Sequence, residues 1–163
     1  MKKMVLMVIF CQILLIFQNK AFAENAHFNK VYFAGGCFWC MEESFDKIDG
    51  VIQSISGYSG GKLKNPTYQD IIYKDTGHVE AIEITYDSNK ISFEELLNIF
   101  WKNIDPFDKY GQFCDKGKSY RSVIFYNDNI QKKIIDKTIT NIEAKFNAKV
   151  VTLLWKFEKF YKA

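Results

Sequence analysis

The sequence predicts a single α+β domain over residues 24–163, a sheet with helices layered on it. Three observations carry this. Apolar positions switch repeatedly between a period near two and a period near 3.6 along the chain. No low-complexity linker or internal repeat interrupts the alternation, and 163 residues with 48% hydrophobic content suffice for one core. Lys30–Ala34 forms a short strand that ends at Gly35-Gly36. From Cys37 to about Ile48 the residues Phe38, Met41, Phe45 and Ile48 fall at helical spacing, and Gly50 stops the helix. Val51–Tyr58 alternates as a strand. Gly57, Gly60 and Gly61 then mark a loop with a turn at Asn65-Pro66, and Thr67 caps a short helix over Tyr68–Tyr73. Val79–Tyr86 is the clearest strand, with Glu80, Glu83 and Thr85 interleaved among Val79, Ala81, Ile82, Ile84 and Tyr86. Ser92 and Glu95 make a capping box that opens a helix over Phe93–Asn103, which Asp105-Pro106 ends. Residues 106–120 form a polar loop, Arg121–Tyr126 a strand, Asp128–Phe146 an amphipathic helix, and Val150–Leu154 a closing strand.

Residues 1–23 stand apart as a signal peptide. Lys2 and Lys3 precede an apolar run from Met4 to Phe17, broken only by Gln12, and Ala21-Phe22-Ala23 has the small-x-small form of a cleavage site. The run falls short of the ~20 residues a membrane span needs, so cleavage is expected, with no stable membrane contact afterwards. This implies a periplasmic or secreted protein. Three of the 22 Lys and Arg residues lie in the leader, whereas all 19 acids lie beyond it, so the mature chain is neutral. Neutrality gives no electrostatic case for a nucleic acid partner or an anionic membrane. Cys11 leaves with the leader, and three cysteines remain. An odd count in an exported protein points to a catalytic thiol rather than a purely structural disulfide framework.

That thiol is Cys37. It follows two glycines at a strand end and begins a helix, whose free N–H groups and positive dipole end favour a thiolate. Phe38 and Trp39 fit either the core or the wall of an apolar pocket. Cys40 completes a Cys-x-x-Cys and lies one helical turn from Cys37, close enough to attack an oxidised partner; a structural disulfide is the other reading. A zinc site would need four ligands, and only Cys114, His27 and His78 remain to supply them. Glu80 lies among apolar neighbours; facing inward it would hold its proton and could donate it, facing outward it would simply be solvated. Tyr68, Tyr120, Asp115 and Cys114 sit in glycine-bounded loops, where functional residues concentrate.

The run Gly36-Cys37-Phe38-Trp39-Cys40-Met41-Glu42 resembles the signature of the type A peptide methionine sulfoxide reductases. Gly57-Tyr58-Ser59-Gly60-Gly61, Asn65-Pro66-Thr67-Tyr68, Thr76-Gly77-His78-Val79-Glu80-Ala81, Phe100-Trp101 with Asp105-Pro106, and Gly117–Arg121 resemble further motifs of that family, in its order. The resemblance implies a two-layer ferredoxin-like sandwich with a mixed sheet. It implies that Cys37 attacks the sulfoxide sulfur, that Phe38 and Trp39 receive the substrate methyl, and that Glu80 protonates the oxygen. Tyr68 and Tyr120 would donate hydrogen bonds to that oxygen, with Asp115 in support. Cys40 would resolve the oxidised Cys37, and a thioredoxin-like reductant would restore the pair, with no bound cofactor and no metal. A monomer acting on oxidised proteins or peptides is expected.

Two places depart from the family's pattern. Many relatives continue beyond the position of Ala163, often with resolving cysteines, and Cys114 stands where relatives usually carry a simple apolar residue. Cys114 is therefore the competing resolving thiol. Two other functions compete. A thioredoxin-like dithiol oxidoreductase also uses a Cys-x-x-Cys at a helix start, but it calls for a facing cis-proline loop, and Pro66 and Pro106 are the only prolines. A truncated, non-catalytic binder of methionine sulfoxide would release no methionine in a single-turnover assay.

Overall fold

In the computed structural model residues 27–163 are described; the signal peptide expected over 1–23 lies outside them. The elements run β1 (Phe28–Ala34), α1 (Phe38–Asp46), β2 (Val51–Ser59), α2 (Tyr68–Tyr73), β3 (Val79–Asp87), α3 (Phe93–Lys102), β4 (Gly111–Gln112), β5 (Asp115–Lys116), a 3₁₀ turn (Lys118–Tyr120), β6 (Val123–Tyr126), α4 (Asn129–Phe146), β7 (Leu153–Lys156) and β8 (Phe160–Lys162). Six strands make one sheet in the order β7-β6-β1-β3-β2-β8. Its four central strands pair antiparallel throughout, and α1 and α3 each bridge two strands separated by a third. This is the split βαβ pattern of the ferredoxin-like fold. β7 runs parallel to β6, which makes the sheet mixed.

Both capping boxes form. Ser92 N donates to Glu95 Oε2 at 2.8 Å while Glu95 N donates to Ser92 Oγ at 3.2 Å; Thr67 and Asp70 do the same for α2. One sheet face packs against the helices through Phe33, Ile82, Ile84 and Ile124, meeting Phe45, Leu97, Phe100 and Ile135. Trp101 Nε1 donates to Thr138 Oγ1 at 3.1 Å and ties α3 to α4.

The other face explains the 17% aromatic content. Only Phe157, Glu158 and Lys159 separate β7 at one sheet edge from β8 at the other. Six flat strands ~4.8 Å apart would put those edges ~24 Å from each other, beyond the ~14 Å that so few residues span. The sheet is therefore curled, and this segment straps its concave side. Phe157 stacks on Tyr32 with ring centroids 3.7 Å apart, Phe160 lies 5.8 Å from Tyr32, and Trp155 meets Phe125 edge-on at 5.9 Å.

Several expected boundaries shift. The closing strand expected over Val150–Leu154 begins at Leu153, because Val150 N donates to Glu143 Oε1 and Val151 N to the Pro106 carbonyl before the chain reaches β6. β6 starts at Val123 rather than Arg121, and β1 at Phe28 rather than Lys30. β8 was not expected, and the 106–120 loop contains the β4–β5 hairpin and the 3₁₀ turn. Among the described residues no helix is long and apolar enough to cross a membrane.

Phe157→Ala removes the stacked ring that holds the strap. The expected loss is about 2–3 kcal/mol of unfolding free energy, below the ~3–5 kcal/mol of a fully buried Phe because the residue is half-buried. Urea denaturation checks it, and a loss below ~0.5 kcal/mol would mean that the strap does not hold the sheet.

Candidate active site

The site is built where β1 turns into α1. Gly36 has φ +89°, a conformation that side chains resist, and a Cβ there would come within 2.8 Å of the Gln112 Cβ. The glycine pair thus turns the chain within two residues and lets the Gln112 loop close against it. Cys37 lands at the N-cap of α1, and its carbonyl accepts from Met41 N at 3.2 Å. No side chain of the helix's own sequence caps the free N–H groups. Glu80 does so from β3: Phe38 N donates to Glu80 Oε2 at 3.0 Å.

Two effects oppose each other at Glu80. A helix N-terminus and a donated N–H favour the carboxylate, while burial favours the acid. Glu80 is 2% exposed, and burial wins: its pKa rises to about 7, against the pull of the Phe38 N–H and with a smaller push from the negative charge of Asp115. Glu80 faces inward and remains largely protonated just below neutrality.

The other residues singled out in the sequence converge here. The Tyr120 phenol is pushed up by burial and then by the nearby charges of Glu80, Tyr68, Asp115 and Cys37, so it stays a donor. Cys40 is exposed, within hydrogen-bond reach of Cys37; that bond first, then burial and the charges of Cys37, Asp115 and Glu43, raise its pKa. Phe38 is 2% exposed and its ring joins the core, whereas Trp39 is 64% exposed. Tyr68 lies against both, at 6.3 Å from Phe38 and 6.2 Å from Trp39. The first ring is core, and the second stands open to solvent beside Tyr68. Cys114 occupies the exposed tip of the β4–β5 hairpin, beside Asp115.

Three residues with no role assigned from sequence hold this arrangement. His78 is buried; its Nδ1 accepts from Gly61 N at 3.1 Å, which places the ring proton on Nε2, 2.8 Å from the Leu63 carbonyl. It thereby fixes the loop leading to Tyr68 and is committed to that task rather than to a metal. Gln112 accepts from Asp105 N at 2.7 Å and donates to the Asp105 carbonyl at 2.9 Å, fixing the loop that carries Asp115. Tyr58, the cross-strand partner of Glu80, packs its ring 5.7 Å from Phe38. The motif Gly57–Gly61 contained it, but only the register reveals its neighbours.

A thiol at a helix start, a second thiol beside it and a neutral carboxylic acid with phenol donors define a thiol-dependent oxidoreductase that reduces a polar, oxygen-bearing substrate. The chain matches the peptide methionine sulfoxide reductase family over residues 29–163. It is 46% identical over 136 residues to the peptide methionine sulfoxide reductase MsrA of Streptococcus mutans, covering 82% of this chain and 80% of that one. Among solved structures it is similar to reduced Mxr1 from Saccharomyces cerevisiae, at TM-score 0.78 and 26% identity over 83% of this chain and 80% of that one. It shares the fold of Mxr1 solved in complex with Trx2, at TM-score 0.62 and 22% identity over 83% and 81%. The chain belongs to the peptide methionine sulfoxide reductase family, and its reaction is the reduction of methionine sulfoxide.

The buried acid carries a stability signature. Its pKa is higher folded than unfolded, so the folded state binds the extra proton, and stability falls as pH rises from ~4.5 to about 7. Glu80→Gln does not titrate, and its pH 5 to pH 8 change in unfolding free energy is expected to be about 2–3 kcal/mol less unfavourable than that of the wild type. Urea titrations at the two pH values measure this, and parallel behaviour of the two proteins would contradict a raised Glu80 pKa.

Proposed function

We propose that the chain reduces the S epimer of methionine sulfoxide, free or in oxidised proteins, by a relay from Cys37 to Cys40. The observation that supports it is the convergence of Glu80, Tyr68, Tyr120 and Asp115 around Cys37, with Cys40 in reach of the same sulfur. The Cys37 thiolate attacks the sulfoxide sulfur while the Glu80 proton moves to the sulfoxide oxygen, with Tyr68 and Tyr120 donating to that oxygen. The substrate S–O bond breaks, an S–O bond forms on Cys37, and methionine leaves reduced by two electrons. Having given up its proton, Glu80 is a carboxylate that still accepts from Phe38 N. Cys40 then condenses with the Cys37 sulfenic acid, its proton leaving with the oxygen as water. A thioredoxin-like dithiol reduces the disulfide.

Cys37 has ψ 119°, so its own backbone lies outside the helix and closing the 37–40 disulfide distorts one helical residue instead of two. This favours Cys40 over Cys114. The thioredoxin-like rival loses ground to the ferredoxin-like sheet, and among the described residues no peptide bond is cis. The non-catalytic reading fits poorly with a complete set of acid, donors and two thiols. The leader over residues 1–23 supports export to the periplasm or beyond, where such an enzyme repairs oxidised proteins.

Two outcomes are expected. Cys40→Ser should release about one methionine per enzyme in a single turnover and then stall at sulfenic acid, while Cys37→Ser releases none. Mass spectrometry of the oxidised Cys40→Ser protein decides the relay, since a Cys37–Cys114 disulfide would remove Cys40 from it. The acid limb is separate: the single-turnover rate should fall about tenfold per pH unit above about 7, and Glu80→Gln should be slow at every pH. A wild-type rate flat from pH 6 to 9 would exclude Glu80 as the proton donor.

A further inference from the structure

Against the outer faces of Trp39 and Tyr68 lies a cavity of about 720 Å3 on the α1 side of β2. Neither Cys37, Glu80 nor Tyr120 lines it. Phe38, Trp39, Pro66 and Tyr68 give it apolar walls, and Lys162 stands at its rim. Its volume lies within the ~300–1,000 Å3 typical of sites for whole organic groups, far more than a sulfoxide methyl fills.

Tyr58 is a lining residue with a hydroxyl to offer. The residue is 1% exposed, yet its hydroxyl makes no hydrogen bond to any other described residue. Every fully buried side-chain N or O among them has a partner, so this oxygen keeps a trace of surface, and Tyr58 lines the cavity. A phenol so placed has a proton to donate and no acceptor within the described chain. Its ring cannot turn away, held 5.7 Å from Phe38 and in register opposite Glu80. Burial first, then the charges of Glu80 and Tyr68, push its pKa up to about 12, so it donates at any physiological pH.

We propose that this cavity is the subsite for the residue flanking methionine sulfoxide in a polypeptide, a large apolar side chain lying against Trp39 and Pro66 while the Tyr58 hydroxyl donates to the flanking main-chain carbonyl. The inference rests on the reduction of methionine sulfoxide at Cys37. A carbonyl is the acceptor every polypeptide offers, and free methionine sulfoxide has none on a neighbouring residue. The subsite thus separates protein repair from turnover of the free amino acid.

Steady-state kinetics on free methionine sulfoxide and on blocked tripeptides, with Gly, Leu or Phe on either side of the sulfoxide, test it. The wild type should prefer Leu or Phe to Gly by about tenfold in kcat/KM on one side. Tyr58→Phe, which keeps the ring, should lower the ratio of peptide to free-substrate kcat/KM at least fivefold, through KM. No flank preference, or a Tyr58→Phe loss equal on both substrates, overturns the subsite while leaving the chemistry at Cys37 standing. Failure of the wild type to reduce even the free compound would sink that chemistry and the subsite together.

Discussion

The site depends on one hydrogen bond, from the Phe38 amide to Glu80 Oε2 at 3.0 Å. It does three things at once. It satisfies a helix N–H that has no cap of its own, it pins the first turn of α1 to the central strand β3, and it holds a buried carboxyl at the start of the helix that Cys37 caps. The balance at Glu80 is narrow. A fully solvated acid at a helix start would be ionised at neutral pH, and one buried without any donor would hold its proton far above it. Burial partly offset by one amide leaves the pKa near 7, where a group both gives and regains a proton readily.

The rest of the fold keeps that bond in place while delivering donors from distant parts of the chain. Tyr68 arrives on a loop that His78 locks, and Asp115 and Tyr120 on a loop that Gln112 locks against Gly36. Neither loop is rigid by composition; each is fixed by a buried polar side chain that bonds twice to backbone. Under them the curled sheet is held by the aromatic strap. His78 and Tyr161 meet edge-on at 5.6 Å, so the strap also braces the loop before Tyr68.

The local parts of this design were legible in the sequence. The glycine pair, the 3.6-residue spacing from Phe38 and the Ser92–Glu95 box each belong to one short segment, and each formed, although the first helix ends at Asp46 rather than near Ile48. The orientation of Glu80 was not legible. Alternation discriminates when one face of a strand is solvated, and β3 is covered on both faces, by helices on one and by the aromatic strap on the other. The same reason hid β8, whose Phe160–Lys162 pairs with β2 only because the sheet curls. Tyr58 escaped notice because its meaning lies in a cross-strand pairing, and His78 because a ligand and a structural donor look alike until their partners are visible.

The two thiols differ in exposure. Cys37 is half-buried, near Tyr120 and the groups around it. Cys40 is open to solvent one turn away. In the proposed relay, a disulfide to Cys40 brings the oxidised pair to the more exposed of the two sulfurs. A Cys-x-x-Cys whose first member is the N-cap gives such a pair adjacent but unequally exposed: the cap residue is half-buried, while the third helical residue is exposed.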